Sequence, residues 1–443
     1  MRTERLRTFA GAARAARDAL KEERLPRDEL RARQQERLDA LVRHAVAHSA
    51  GWRERLGDAA TKRSVDLASL PVLTKSELMD GYDDLVTDRR LKRDDLLAHV
   101  EAIDGDDLYL GEHRVMTTSG SSGRKGLFVY DRDGWRAILA QFLRVTMTMG
   151  LTPKLPRRRF AAIVGAAPTH MSRRCAAGSD VGLHRTLSLA VTDPLDEIVA
   201  TLNRFQPEFL GCYPSIAMRL AEERLAGRLR IELSAMGTSS ELRTPETTER
   251  LVEAFGVHPY DLYATTEGVW GMECERHHGF HLFEDNAIVE VDGDRILVTN
   301  LRNRVQPIIR MEVSDRVVLD PEPCPCGRTT VLTKAMEGRT DDVLTLPGRD
   351  GEDVAVQPMQ FAVVTRDRDV REFQVVQQGD ALRLLVVPRD GANGDLEERL
   401  RATVGAQLAA LGVREPRVAV ERRAELERSP GGKLQVVVAD RPR

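Results

Sequence analysis

Residues Met116–Gly126 read Met-Thr-Thr-Ser-Gly-Ser-Ser-Gly-Arg-Lys-Gly, and the apolar segment Leu127–Tyr130 that follows has the character of a β-strand. The three glycines allow positive φ and a close approach of the backbone to a ligand. The hydroxyl groups and free amides can donate to phosphate oxygens, and the arginine and lysine add positive charge. A flexible Ser/Gly linker is the alternative interpretation. We predict a polyphosphate-binding loop whose contacts come from Thr118, Ser119, Gly120, Ser121, Ser122, Gly123 and Lys125.

This loop differs from the Walker loop of P-loop NTPases in its spacing and in the element that follows it. The pattern G-x-x-x-x-G-K-[ST] is absent, and a strand follows where a Walker loop would open a helix. Thr-Ser-Gly-Ser-Ser-Gly-x-x-Gly between two strands resembles instead the phosphate loop of adenylate-forming enzymes, the superfamily of acyl- and aryl-CoA synthetases.

The composition restricts the class of protein. A chain of 443 residues is too long for one compact core, so two or three domains are expected. With 42% hydrophobic residues, 30% charged residues and a net charge of −3, we expect a soluble globular protein without a nucleic-acid or membrane partner. The first twenty residues lack the apolar run of a signal peptide, and the five cysteines do not indicate a disulfide framework. A cytoplasmic location is therefore expected.

Alternating strands and helices predict an α/β fold. Helical patterns over Pro214–Leu225 and Thr244–Phe255 alternate with strand patterns such as Phe209–Tyr213, which favours a largely parallel sheet covered by helices. Shorter strands follow from Asp285, and a compact α+β module follows Gly338. The predicted organisation is a large N-terminal α/β domain with layered sheets and helices at 1–337, a hinge at 338–342 and a small mobile C-terminal α+β lid at 343–443. Within the first domain we expect a helical arm at 1–50 and a zinc-binding β subregion at about 272–330.

A second motif, Asp261–Glu267, resembles the superfamily pattern (N/D)-x-Y-G-x-T-E at the end of a strand. The resemblance implies that Tyr263 packs on adenine, that Thr266 contacts the α-phosphate and that Glu267 binds Mg²⁺, a cation that prefers carboxylate and phosphate oxygens. Ala264 replaces the usual glycine. An ordinary strand followed by a polar loop is the alternative.

Three more segments carry expected nucleotide contacts. Ser240 and Glu241 lie where relatives have a Gly-(Gly/Ala)-Glu segment beside the nucleotide base. Asp315 ends a stretch that resembles P-x-I-R-Y-x-x-x-D. Its two carboxylate oxygens would accept hydrogen bonds from both ribose hydroxyls. The hinge motif G-R-x-D-D implies that Arg339 contacts the ribose or a phosphate and that Asp341 is the pivot.

Lys433 lies in Ser-Pro-Gly-Gly-Lys near the C-terminus of a chain in which lysine is rare beside arginine. Adenylation brings an anionic nucleophile onto an anionic α-phosphate, so a compact ammonium group that contacts both stabilises the developing charge. The resemblance implies that Lys433 is the catalytic lysine of the C-terminal domain. A solvated lysine in the tail is the alternative.

Three cysteines and one histidine form a candidate metal-binding set: Cys274, His281, Cys324 and Cys326. Four such ligands suit tetrahedral Zn²⁺, and a closed set of four protein ligands would be structural. His277 or His278 could replace His281, and buried thiols without a metal are a further alternative. The surrounding residues resemble the phenylacetate-CoA ligase branch, which pairs EC....GLH..ED with C.CGR.

The resemblance implies an AMP-forming ligase that uses ATP, Mg²⁺, structural Zn²⁺ and CoA or another acceptor. A small, aromatic acid is expected, with His170, Tyr213 and Trp270 lining its pocket. Two alternatives are open: the same fold could activate another oxyanion, such as nitrite for arylamine diazotisation, or form an amide; or the chain could be a zinc-containing nucleotide-binding protein without ligase activity. The sequence leaves a homodimer open.

Overall fold

The structure is a computed structural model, and it describes residues 2–118, 126–165, 167–293, 295–339, 342–389, 391–429 and 432–440. The α-helices α1 to α12 are, in chain order, Arg2–Glu22, Arg27–His48, Ala50–Leu56, Lys75–Asp80, Tyr82–Leu85, Arg93–Ala102, Arg132–Thr148, Met171–Ser179, Leu195–Phe205, Pro214–Leu225, Pro245–Phe255 and Leu396–Ala410. Short 3-10 helices span Ala59–Thr61, Leu67–Ser69 and Pro358–Arg366.

Strands of both orientations lie between these helices. The strands β1 to β20 are, in chain order, Arg114–Thr117, Leu127–Tyr130, Arg159–Val164, Arg185–Ala190, Phe209–Cys212, Ala235–Ser239, Tyr260–Ala264, Trp270–Glu273, Phe280–Leu282, Ala287–Asp292, Arg295–Asn300, Ile308–Val313, Asp315–Asp320, Leu332–Arg339, Leu344–Pro347, Asp353–Val356, Val370–Gln378, Ala381–Pro388, Arg417–Arg422 and Val437–Val438. The predicted α/β fold with layered sheets and helices is confirmed.

The chain packs as two compact units. The first unit contains Met1–Ala190, Tyr260–Val313 and Val317–Ala335, and the second contains Val191–Pro259, Ser314–Arg316 and Met336–Arg443. This division differs from the boundary predicted at residues 338–342. The segment 191–259 groups with the C-terminal residues because α10 contacts β17 and α11 contacts the 3-10 helix Pro358–Arg366.

The N-terminal helices belong to the core of the first unit. Ala12 and Ala16 are fully buried on α1, which packs closely against α7, and Leu38, Leu41 and Val42 of α2 are buried as well. The residues predicted as a helical arm are therefore helical, and their apolar stripe is covered by the rest of the unit. Among the described residues, no helix has both the length and the apolar character needed to cross a lipid bilayer.

The first unit contains the strands that flank the candidate site. β1 and β2 form an antiparallel pair around the predicted phosphate loop. β7, β8 and β9 form an antiparallel run, and β9 also pairs with β14. β10, β11 and β12 form a separate antiparallel sheet, and β3 pairs with β4 in parallel.

The second unit joins a parallel strand pair to a C-terminal sheet. β5 and β6 run parallel, and α10 begins with Pro214 at its first turn, as the sequence predicts. The C-terminal sheet has the order β19-β18-β17-β20. It packs against α12, whose buried side chains recur every four residues at Leu396, Leu400, Val404 and Leu408. This spacing places one apolar face of α12 on the sheet.

Candidate active site

Hydrogen bonds join Thr118 and Gly126, the described residues on either side of the predicted phosphate loop. Thr118 donates its backbone N–H to the carbonyl of Gly126 at 3.0 Å, and its Oγ1 accepts from the Gly126 N–H at 3.1 Å. A Cβ on Gly126 would lie 2.7 Å from Thr118 Oγ1 and 2.8 Å from Lys75 Cε, so a larger residue there would displace these side chains. The predicted contacts at Ser119, Gly120, Ser121, Ser122, Gly123 and Lys125 lie outside the described residues.

Lys75 is a residue of this site that sequence reasoning missed. Its ammonium group donates to Thr118 Oγ1 at 3.0 Å, which adds a positive charge where the chain enters the loop. Lys75 is the first residue of α4, behind a capping box in which Thr74 and Glu77 bond each other's backbone N–H groups. This capping box fixes the start of α4 at Lys75. The rarity of lysine in the chain was the available signal.

Thr266 and Glu267 lie on a tight turn between β7 and β8, which we call the Glu267 turn (residues 265–268). Thr265 N donates to the carbonyl of Val269 at 2.9 Å, and Gly268 N donates to the carbonyl of Thr265 at 3.2 Å. Gly268 has φ of +95°, and a Cβ there would lie 2.1 Å from Asn300 Nδ2. Only glycine fits this position, because a side chain would clash with Asn300 and would disfavour the positive φ.

Three buried side chains fix the carbonyls of the Glu267 turn. Tyr130 Oη donates to the carbonyl of Thr266 at 2.7 Å, and Asn300 Nδ2 donates to that of Glu267 at 2.8 Å. Asn286 Nδ2 donates to the carbonyl of Gly268. Burial raises the pKa of the Tyr130 phenol well above its usual range, so it stays a proton donor. Since Tyr130 ends β2, the strand that leaves the phosphate loop also supports the turn that carries Glu267.

The other first-unit candidates flank these elements. Tyr263 is half-buried near the end of β7, and Ala264 pairs with Trp270 at the start of β8. Trp270 is almost fully buried. His170 precedes α8, and its neighbour Thr169 lies 2.9 Å from Thr117 of β1 through their hydroxyl groups. The structure therefore brings the segment of His170 to the strand that enters the phosphate loop.

Ser240 and Glu241 follow β6 in the second unit. Ser240 has φ of +71°, an uncommon conformation for a residue with a Cβ. This backbone turn directs Glu241 to the N-terminus of α10. There, Glu241 Oε2 accepts from the Ser215 N–H at 2.9 Å and Oε1 from the Ser215 hydroxyl at 3.1 Å. Burial raises the pKa of the Glu241 carboxyl above its usual value, while these donors favour its ionised form.

Lys433 lies over an aromatic ring of the same unit. Its Nζ is 5.7 Å from the ring centroid of Tyr213, which is fully buried and caps α10. Asp315 is the half-buried first residue of β13. Arg339 ends β14, whose Gly338 has φ of +110°. The side chain of Arg339 and the predicted pivot Asp341 lie outside the described part of the chain.

The predicted metal ligands come together in the first unit. Cys274, His281, Cys324 and Cys326 are all buried, and one ligand atom from each lies within 4.8 Å of the others. Cys274 Sγ is 3.7 Å from Cys324 Sγ, and Cys326 Sγ is 3.3 Å from His281 Nε2. Tetrahedral Zn²⁺ with Zn–S bonds of about 2.3 Å has sulfur atoms about 3.8 Å apart. The four residues therefore fit zinc.

The surroundings of this cluster also suit zinc. His281 Nδ1 lies 3.2 Å from Thr330 Oγ1, which leaves Nε2 directed at the sulfur atoms. Burial lowers the pKa of His281 to about 4, so the ring is neutral at pH 7 and able to coordinate. His277 lies instead 3.3 Å from Glu273, and His278 faces Asp320. The geometry therefore selects His281 among the three histidines.

The connection between α1 and α2 packs against the same cluster. Arg24 Nη1 donates to the carbonyl of Cys326 at 2.8 Å, and Thr329 N donates to the carbonyl of Glu23 at 2.8 Å. Arg328 Nε donates to Glu23 Oε2 at 2.7 Å. The other Glu23 oxygen pairs with Arg144 of α7. The cluster thereby joins the N-terminal helices to β8 and β9.

Comparisons with known proteins agree with these motifs. No protein-family model matches the chain. The chain is 26% identical over 371 residues to a phenylacetate-coenzyme A ligase of Thermus thermophilus, covering 77% of this chain and 76% of that protein. It is 23% identical to a phenylacetate-coenzyme A ligase of Aromatoleum evansii, covering 74% of each. Its fold is similar to a crystal structure of 2-hydroxyisobutyryl-CoA ligase, with a TM-score of 0.73 and 22% identity over 95% of this chain and 92% of the other. With its motifs in the predicted order, the chain is therefore similar to the phenylacetate-CoA ligase-like branch of the adenylate-forming superfamily.

Proposed function

We propose that the protein is an AMP-forming ligase that adenylates a small carboxylic acid with ATP and transfers the acyl group to CoA. An aromatic or arylacetic acid is the proposed substrate class, in line with the names of the relatives. The observation that carries the proposal is the position of Lys433, whose ammonium group is held over the ring of Tyr213. A lysine in this family motif has a chemical reason to be held if it meets a charged reaction centre.

In the first half-reaction, a carboxylate oxygen of the acid attacks the α-phosphorus of ATP. The bond to the β-phosphate breaks, and pyrophosphate leaves. We propose that the loop from Thr118 to Lys125 and the ammonium group of Lys75 hold the phosphates. Lys433 offsets the repulsion between the two anions, and Thr266 contacts the α-phosphate. Glu267 would hold Mg²⁺, which when bound would supply positive charge at the phosphate oxygens.

The remaining nucleotide and acid contacts follow the family motifs. Tyr263 packs on adenine, Ser240 lies beside the base, Asp315 accepts the ribose hydroxyls and Arg339 contacts the ribose or a phosphate. We propose that His170, Tyr213 and Trp270 line the acid pocket.

In the second half-reaction, the thiol sulfur of CoA attacks the acyl carbon. The carbon–oxygen bond to AMP breaks, AMP leaves with the original carboxylate oxygen, and the thiol proton passes to solvent. We propose that a rotation at Asp341 withdraws Lys433 between the two steps. Zn²⁺ would be held by Cys274, His281, Cys324 and Cys326, and with four protein ligands it would serve folding rather than chemistry.

A screen of pyrophosphate release tests this function. Purified protein is incubated with ATP, Mg²⁺ and single acids, including phenylacetate, benzoate and 2-hydroxyisobutyrate, each with and without CoA. We expect acid-dependent pyrophosphate and AMP, with an acyl-CoA product only when CoA is present. Release with nitrite, or product only with an amine acceptor, would favour the oxyanion or amide alternatives. Absence of acid-dependent release across the panel would contradict the proposal.

A further inference from the structure

Glu241 bonds the backbone beside Lys433. Besides its contacts to Ser215, Glu241 Oε1 accepts from the Leu434 N–H at 2.8 Å. Both carboxylate oxygens are therefore engaged by protein donors, two from the start of α10 and one from the C-terminal loop. This arrangement differs from the role beside the nucleotide base that the sequence predicts for Glu241.

The loop that carries Lys433 is a closed turn, described at residues 429 and 432–434, and we call it the Lys433 loop. Gly432 N donates to the carbonyl of Ser429 at 2.7 Å, and Ser429 N donates to the carbonyl of Lys433 at 2.9 Å. Lys433 N donates to Ser429 Oγ at 3.1 Å. Because these bonds join the described ends of the loop, fixing the Leu434 amide also fixes the backbone of Lys433.

Close packing adds to this contact. Gly432 has φ of +78°, and a Cβ there would lie 2.1 Å from Val191 Cγ1. Arg428 Nη1 donates to Ser215 Oγ at 2.9 Å, and Arg428 Nη2 donates to Glu372 at 2.6 Å. Ser215 thus donates to Glu241 and accepts from Arg428. The segment 191–259 holds the Lys433 loop through several exchangeable contacts.

We infer that Glu241 is a positioning residue for adenylation. Through the Leu434 amide it holds Lys433 over Tyr213 for the first half-reaction and releases it before the second. The inference rests on the proposed function. When the loop leaves, Glu241 keeps its two donors from Ser215, so only the bond to Leu434 is exchanged for water. A buried carboxylate without donors would be costly, and Ser215 avoids that cost.

The test separates the two half-reactions in Glu241→Ala and Glu241→Gln. Adenylation is measured as single-turnover pyrophosphate release, and transfer is measured from phenylacetyl-AMP, or the acyl-AMP of the best acid, with CoA. We expect adenylation to fall by about 10-fold or more in Glu241→Ala, since misplacing a catalytic group costs on this scale. Transfer should stay within about 2-fold, since Lys433 serves only the first step. Equal losses in both steps would overturn the inference.

Glu246→Gln is the matched control. Glu246 lies on α11 and bonds Arg366 at 3.0 Å and Thr365 at 3.4 Å, so it also joins the segment 191–259 to C-terminal residues. These two partners lie outside the described part of the Lys433 loop. We expect both half-reactions of this variant to stay within about 2-fold of the wild type.

A double variant and hydrogen exchange complete the test. Adding Glu241→Ala to Lys433→Ala should cause no further loss of adenylation, because Glu241 acts through Lys433. A further loss of about 10-fold would assign Glu241 to the nucleotide and overturn the inference. Independently of activity, hydrogen exchange of a peptide spanning residues 432–437 should quicken by about 10-fold in Glu241→Ala but not in Glu246→Gln. Unchanged exchange would overturn the inference, whereas faster exchange in a protein without pyrophosphate release would contradict only the proposed ligase activity.

Discussion

The Glu267 turn and the Lys433 loop each present one charged side chain, yet they are held in different ways. Three buried side chains bond three successive carbonyls of the Glu267 turn. The described part of the Lys433 loop bonds the carboxylate of Glu241, and the neighbouring Arg428 bonds Ser215. Positive φ at a glycine is common to both.

We relate this difference to the roles proposed for the two segments, metal binding by Glu267 and adenylation by Lys433. A group that binds a metal throughout a reaction benefits from a fixed backbone, because any displacement reduces transition-state stabilisation. A group needed in one half-reaction must be released for the next, so its contacts must be ones that water can replace. We therefore expect the Glu267 turn to be rigid in both half-reactions and the Lys433 loop to be held in only one.

Removing the cation of the Lys433 loop should have the largest effect. Lys433→Ala should reduce single-turnover pyrophosphate release by about 10²-fold or more, the scale of losing one preorganised transition-state group. Transfer from acyl-AMP to CoA should be nearly unchanged. Lys92→Ala, which removes an exposed lysine on another part of the chain, is the control. Adenylation within about 2-fold of the wild type would show that Lys433 is a solvated tail residue.

Loss of zinc should disturb the unit that contains the Glu267 turn and spare the Lys433 loop. Wild-type protein should contain about one Zn²⁺ per chain, and Cys326→Ser should lose it and unfold at a lower temperature. Hydrogen exchange should quicken around Glu23 and β9 but not at residues 432–437. The control is Cys175→Ser, because Cys175 is also buried and lies outside the cluster. Metal-free wild-type protein that unfolds at the same temperature as zinc-containing protein would rule out the zinc site.

The smallest expected effect comes from loosening the Glu267 turn by one bond. Tyr130→Phe removes the donor to the carbonyl of Thr266, and a hydrogen bond of this kind contributes about 1 kcal/mol. We expect a modest fall in Tm and a loss of adenylation of about 3- to 10-fold. Tyr82→Phe is the matched control, since the buried Tyr82 hydroxyl has no hydrogen-bond partner among the described residues. Equal effects of the two variants would contradict a special role for Tyr130.

Local patterns allowed part of this site to be predicted. The capping box of Thr74 and Glu77 depends on residues three apart, and the Cys-x-Cys pair of the metal set is local, so both could be read from the sequence. The contact of Tyr130 with Thr266 joins residues 136 positions apart, and no periodicity signals it. The bond from Leu434 to Glu241 uses a backbone amide, which every residue except proline possesses. Contacts of these kinds depend on the tertiary fold.

An isotope measurement tests most directly whether the carboxylate of the acid becomes bonded to AMP. Phenylacetate, or the best acid of the screen, is labelled with ¹⁸O in both carboxylate oxygens and converted with ATP and CoA, and the AMP is analysed by mass spectrometry. We expect one ¹⁸O in each AMP released, because the carbon–oxygen bond breaks in the second step. AMP without label, or ADP and labelled phosphate in its place, would contradict it.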